Sequence, residues 1–129
     1  MNVPKDLKYT KDHEWVAVGG SVGKVGITDY AQSQLGDIVY VELPEVGAEV
    51  TAGEPFGSIE AVKAVSDLLA PISGVVKEVN TAMADSPELV NNSPYGDGWM
   101  IVIEIGDAAQ LESLLSADDY EKLIASEEK

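Results

Sequence analysis

Ile59-Glu60-Ala61-Val62-Lys63-Ala64-Val65-Ser66-Asp67 is the stretch on which the reading of this chain turns. Two β-rich runs, residues 56–62 and 65–70, meet at one lysine. Small and β-branched residues flank it, and Glu60 and Asp67 lie just outside. Such a pattern predicts a hairpin with Lys63 at its tip. Lys63 is also the only lysine between Lys24 and Lys77. An ammonium on a flexible four-carbon stem is a common acylation site. Acylated with a long cofactor, the stem becomes a tether that holds a reactive group near several partner sites in turn. From spacing alone, an ordinary exposed hairpin lysine is the commoner reading.

Outward from the hairpin the chain alternates short strands and turns. Residues 14–18 and 22–27 read as strands around Gly19-Gly20-Ser21. Thr28 reads as the N-cap of a helix over 29–35 that stops at Gly36. Strands are predicted over 37–43, 46–50 and 75–79, and a core strand over 99–105. Residues 80–98, rich in Asn, Ser, Pro, Asp and Gly, read as irregular with one helical turn. Two helices close the chain. One starts at Asp107 with Gln110 at its capping-box position, the other at Ser116 with Asp119 there. Glu127-Glu128-Lys129 is expected to fray. The expected core includes Val39, Val41, Ile59, Val76, Trp99, Ile101 and Ile103. Residues 46–50 faintly echo 74–79, which suits two small sheets packed face to face.

At 129 residues the chain is read as one domain, 1–129, burying roughly two-thirds of its unfolded surface. The net charge is −15, from 23 acidic residues against eight lysines and no arginine. Such a surface repels nucleic acid and anionic lipid, so no nucleic-acid and no membrane partner is expected. No apolar run is long enough to span a bilayer, and the first residues lack an N-terminal address. A cytoplasmic, bacterial location is expected, with a mitochondrial matrix only if a transit peptide was removed.

Catalytic options are few. Cysteine is absent and His13 is the sole histidine, which removes thiol chemistry, paired-histidine metal sites and a histidine relay. Gly19-Gly20-Ser21-Val22-Gly23-Lys24-Val25-Gly26 lacks the spacing of a nucleotide loop. With 23 carboxylates, no pair stands out as an acid–base couple. The residues describe a binding or carrier module with no catalytic group and no metal site.

Several ordered motifs sharpen this. The Glu60–Asp67 segment, followed by Ala70-Pro71-Ile72-Ser73-Gly74, resembles the lipoyl-attachment region of the glycine cleavage H-protein family. Tyr9-Thr10-Lys11-Asp12-His13-Glu14-Trp15 is similar to that family's opening motif. So are Gly26-Ile27-Thr28-Asp29-Tyr30-Ala31-Gln32 and Leu35-Gly36-Asp37-Ile38-Val39 to its helix region. Glu42-Leu43-Pro44, Pro87-Glu88-Leu89-Val90-Asn91, Pro94-Tyr95 and Gly98-Trp99 continue the match along the whole chain. Two departures stand out: Ala61 where the family usually has serine, and Asp12 where many members have another polar residue.

The resemblance implies an α+β, mainly β fold. Its core would be a lipoyl/biotinyl-type barrel-sandwich hybrid of two small antiparallel sheets over about 22–105. A short helix would follow the first hairpin, with C-terminal helices over about 107–126. It implies lipoate as an amide on Lys63, and no catalysis by the chain itself. The arm would take an aminomethyl group from glycine decarboxylase (P-protein) to the aminomethyltransferase (T-protein). Dihydrolipoamide dehydrogenase (L-protein) would then reoxidise it. A lipoate ligase or octanoyltransferase would load Lys63, with Glu60 and Asp67 as an acidic recognition mark. Glu14, Asp67, Asp12 and His13 would line the cleft that receives the loaded arm, with Glu14 as principal anchor. A biotin carrier would instead flank its lysine with methionines, whereas Val62 and Ala64 stand here. The alternative within the class is a lipoyl or octanoyl donor that relays the group to 2-oxoacid dehydrogenases. An acidic scaffold that has lost its modification is the third reading.

Overall fold

Among the described residues, nine strands build two antiparallel sheets that face each other. The structure is a computed structural model and describes residues 3–127. The larger sheet is built from β1 (Lys8–Tyr9), β2 (Glu14–Gly19), β3 (Val22–Ile27), β5 (Glu49–Val50), β8 (Gly74–Val79) and β9 (Ile101–Ile105), and the smaller from β4 (Ile38–Glu42), β6 (Pro55–Ala61) and β7 (Val65–Leu69). The larger has the order β1-β2-β3-β9-β8-β5, and the smaller β4-β6-β7. Three helices accompany them: α1 (Asp29–Leu35), α2 (Leu89–Asn92) and α3 (Ala117–Glu127).

The main core lies between the sheets. Val16, Val25, Val76, Ile101 and Ile103 come from the large sheet, and Val41, Ile59, Ala61 and Leu68 from the small one. Each fully buried aliphatic chain contributes roughly 1.5–3 kcal/mol by leaving water. A second cluster, Tyr9, Trp15, Tyr30, Ala117, Tyr120 and Ile124, seats α3 against β1, β2 and α1. Tyr9 and Tyr120 stack there with ring centroids 4.7 Å apart.

Four expectations are corrected. Val39 is 51% exposed, not core. A register shift between Ile38 and Tyr40 against β6 turns Ile38 and Val41 inward and leaves Val39 and Tyr40 both outside. Trp99 is only half-buried and precedes β9. Its N–H closes a turn on the Gly96 carbonyl (3.1 Å), and Met100 takes the fully buried place. The segment after Asp107 is a 3-10 turn, Ala108–Ser113, and not an α-helix. Gln110 does not cap it. Its Oε1 accepts from Ser73 N (2.7 Å) and its Nε2 donates to Ser73 Oγ (3.2 Å), so a distant loop claims the side chain. Finally, residues 46–50 form only the two-residue β5, which pairs with β8 in one sheet instead of mirroring it in the other.

The caps around α1 hold as read. Thr28 Oγ1 accepts from Ala31 N (3.2 Å), and Gly36 N donates to Gln32 O (2.9 Å). Gly36 sits at φ +83, ψ −153, a region open essentially to glycine. A Cβ built there would also fall 3.0 Å from Lys63 Cε. Gly36→Ala is therefore expected to destabilise the fold by roughly 1–3 kcal/mol, read from a denaturant midpoint. A shift within ±0.5 kcal/mol, the scatter of neutral surface changes, sinks the argument. Residues 80–98 hold more order than their composition suggests, with a 3-10 turn at Thr81–Ala84 as well as α2. Of the terminal residues expected to fray, Glu128 and Lys129 lie outside the described residues, and Glu127 still ends α3.

Candidate carrier-lysine site

Lys63 stands at the turn between β6 and β7. Glu60 pairs with Val65, and Ala61 N donates to Ala64 O (2.7 Å), leaving Val62 and Lys63 as the turn residues. Neither adopts a positive φ, so the turn needs no glycine and can carry a long side chain. Residues 62–67 are all exposed, Val62 to 72% and Val65 to 69%. One hydrogen bond ties the tip to its neighbour: Val62 N donates to Asp37 O (3.0 Å). The Lys63 stem lies over Gly36, where the missing Cβ leaves room for it.

One cleft opens beside this hairpin and a second beyond the far end of β7, and Asp12 borders both. The first, about 290 Å³, runs between α1 (Tyr30, Ala31, Gln34, Leu35) and Ser66 of β7, and ends at Asp12, His13 and Glu127. The second, about 340 Å³, is walled by Tyr9 to Asp12, Gly53, Ala70-Pro71 and 113–115, with Glu14 on its lining. Strand alternation sends Ser66 toward the first cleft. Asp67 falls on the opposite face of β7, opposite Ser58, and lines neither cleft. Glu60 lies exposed on that same outer face, opposite Tyr40 and Val65. Of the expected cleft residues, Asp12 and His13 line the first cleft, Asp12 and Glu14 the second, and Asp67 lines neither.

Glu14 is only 3% exposed. Burial pushes its carboxyl up to about 8, and the charge of Asp12 adds to this. Hydrogen bonds from the Thr10 hydroxyl (2.7 Å) and the Leu69 backbone act the other way. Lys11 lines the same cleft, but no lysine pairs with Glu14 among the described residues. Thr10 builds this corner: its Oγ1 accepts from Asp12 N and Glu14 N, both at 3.2 Å, while donating to Glu14 Oε1. Sequence reasoning overlooked Thr10. Its signal was a hydroxyl four residues before the carboxylate in a tight turn, a local hydrogen-bonding pattern.

His13 is held by the fold rather than left free. It sits at φ +70, in the left-handed region, with its backbone bonded to Thr10 O and Thr28 N. Its Nδ1 lies 2.8 Å from Tyr120 Oη, which lies 2.6 Å from Thr28 Oγ1, and its Nε2 lies 3.2 Å from Glu127 Oε1. Every proton finds a use if Thr28 donates to Tyr120, Tyr120 to Nδ1, and Nε2–H to Glu127. The ring thus joins the Thr10–Glu14 turn, the start of α1 and the end of α3. No group of three or more acidic or histidine side chains could hold a metal ion among the described residues. No helix there is long and apolar enough to cross a membrane.

Two packed antiparallel sheets with an exposed lysine at a hairpin tip and a cleft beside it are the architecture of a lipoyl-type carrier domain. The comparisons with known proteins narrow this. A family model for the glycine cleavage H-protein matches residues 7–127, so the chain belongs to that family. It is a carrier subunit and not an enzyme. The glycine cleavage system H protein of Geobacillus kaustophilus is 64% identical over 124 residues, 96% of this chain and 98% of its own. That of Bacillus subtilis is 59% identical over 123 residues, 95% of this chain and 97% of its own. The crystal structure of a glycine cleavage system H protein from Mycobacterium marinum superposes with a TM-score of 0.85 at 42% identity, covering 95% of this chain and 99% of that one.

Proposed function

We propose that Lys63 carries lipoate as an amide and that the chain shuttles the aminomethyl group of glycine from glycine decarboxylase to the aminomethyltransferase. Dihydrolipoamide dehydrogenase restores the arm, and the system works in the bacterial cytoplasm. The observation that carries this reading is the isolation of Lys63 on a fixed two-residue turn, its stem over Gly36 and a cleft that runs from Ser66 of the same hairpin along α1. A lipoyl group held on Lys63 would supply an electrophilic disulfide, whose S–S bond opens with the electron pair that decarboxylation of glycine frees and which is left as the dithiol once the aminomethyl group has been passed on.

The residues fit such a group. The first cleft offers an apolar flank from Ala31 and Leu35 and polar ends from Gln34 and Ser66, suited to an uncharged aliphatic chain. Acylation removes the Lys63 charge and allows contact with that flank. Asp12 closes this cleft, and Glu14 lies on the second cleft, which Asp12 also borders; these are the carboxylates that a cationic amine needs once it leaves water. Glu14 is protonated near neutral pH while alone, and a cation beside it favours its ionised form. His13 fixes the turn that aims them.

Glu60 and Asp67 form an acidic edge beside exposed Val62 and Val65. Joined to an exposed two-residue turn, this edge gives a lipoate ligase or octanoyltransferase its mark. Relay of the acyl group to 2-oxoacid dehydrogenases would use the same lysine and edge. The test is direct. Incubation with a lipoate–protein ligase, lipoate and ATP is expected to modify Lys63 and none of the other seven lysines among the eight, read by peptide mapping. Modification spread over several lysines, or absent from Lys63, rejects the proposal.

A further inference from the structure

Asn91 ends far from Lys63 in sequence, yet its whole side chain is spent on the loop beneath it. Nδ2 donates to Gly36 O (2.8 Å) and Gln32 Oε1 (3.0 Å), and Oδ1 accepts from Ile38 N (2.9 Å). That uses both donors and the acceptor of the amide. None serves its own helix, whose last turn closes through Ser93 N to Leu89 O (2.8 Å). The strap 36–38 is thus held at both ends by one side chain. Its middle carbonyl, Asp37 O, accepts from Val62 N at the hairpin tip (3.0 Å).

The register explains why a side chain is needed here. The pairing of β4 with β6 slips between Ile38 and Tyr40. A bulge of this kind interrupts the ladder locally. Ile38 N–H bonds to Asn91 Oδ1, and the support of the tip passes to α2.

We propose that Asn91 is a positioning residue for Lys63. By pinning Gly36 and Ile38 it fixes the carbonyl that anchors the tip, and so sets how the lysine meets the enzyme that acylates it. The inference rests on Lys63 being the attachment lysine.

Asn91→Asp is the near-isosteric test in the full-length, unmodified chain. It keeps an acceptor for Ile38 N–H but turns the donor into an oxygen facing the Gly36 carbonyl and Gln32 Oε1. Hydrogen exchange at the Val62 amide is expected to rise at least about tenfold relative to β8 and β9 amides, as a local opening does. In acylation by a lipoate–protein ligase with octanoate and ATP, KM is expected to rise about fivefold with kcat kept, because chemistry at the amine is unchanged. If Val62 exchange and KM stay at parental values, or move only in step with global stability, Asn91 is a structural residue and the proposal falls. Where the variant does not fold, native-state exchange on the parent decides. Val62 and Ile38 amides are expected to open together below the global transition, and independent opening overturns the proposal. A parent whose Lys63 the ligase leaves unmodified refutes the attachment reading instead, while Val62 exchange still judges the strap.

Discussion

Lys63→Arg is expected to lower glycine oxidation by the reconstituted system at least about 10²-fold, the lower end of the gain that linking a group to its partners gives over the free group. The variant keeps the positive charge and much of the stem, but a guanidinium stays protonated and does not serve as an acyl acceptor. Its fold should be intact, since Lys63 is exposed and enters none of the ion pairs among the described residues. Stability is therefore expected within about 0.5 kcal/mol of the parent, which separates lost chemistry from lost structure. After exposure to ligase, lipoate and ATP the intact mass should not change. Free lipoamide at high concentration should restore part of the rate, because it replaces the tether by mass action. Glycine oxidation at the parental rate, with this variant as the sole carrier, would remove Lys63 from the mechanism.

The elements around Lys63 were legible because their signals are local. β6 and β7 are β-rich runs with a turn between them, and Thr28 and Gly36 mark the ends of α1 through contacts within a few residues. What escaped depends on partners distant in the chain. Val39 looked like core because Ile38-Val39-Tyr40-Val41 is apolar throughout, and only its pairing with β6 reveals the slip that turns two neighbours outward. Gln110 has the spacing of a capping residue, but Ser73 offers it both a donor and an acceptor. The two-residue β1 carries no pattern of its own. Tyr9 exchanges backbone bonds with Leu115 (2.9 and 2.7 Å), so its geometry waits on the C-terminal segment.

The site divides the same way. The lysine was legible from its isolation and its flanks, and Glu14 and Asp12 from the ordered opening motif. The side of the sheet that Asp67 takes was not, because parity along β7 is set by Leu68 entering the core. The α1 residues of the first cleft were readable as helix, while the face they turn to the hairpin is a property of packing.

Glu14→Gln should separate stability from function most sharply. In the parent, burial raises the carboxyl from its ordinary 4.5 to about 8. A raised acid binds its proton more tightly when folded, so its contribution is intact below about pH 4.5 and is lost as pH climbs through about 8. Above that point the folded chain holds a buried carboxylate without a lysine partner among the described residues. Glutamine has nearly the same shape, keeps an oxygen for the Thr10 hydroxyl and never ionises. The variant is expected to match the parent near pH 4 and to exceed it at pH 9 by roughly 3–5 kcal/mol, the order that a rise from 4.5 to about 8 implies. Function should move the other way. A neutral amide cannot pair with a cationic amine in the cleft, and truncating one member of a buried charge pair costs about 2–5 kcal/mol. The aminomethyl-loaded form is therefore expected to decay at least about tenfold faster than the parent's. Equal lifetimes would show that the amine is held elsewhere, with Asp12 the next carboxylate on the same cleft. Equal stability at pH 9 would show that Glu14 is better solvated than its burial implies. Both effects together identify a carboxyl retained for its cargo at the expense of the fold, the trade-off that functional sites commonly display.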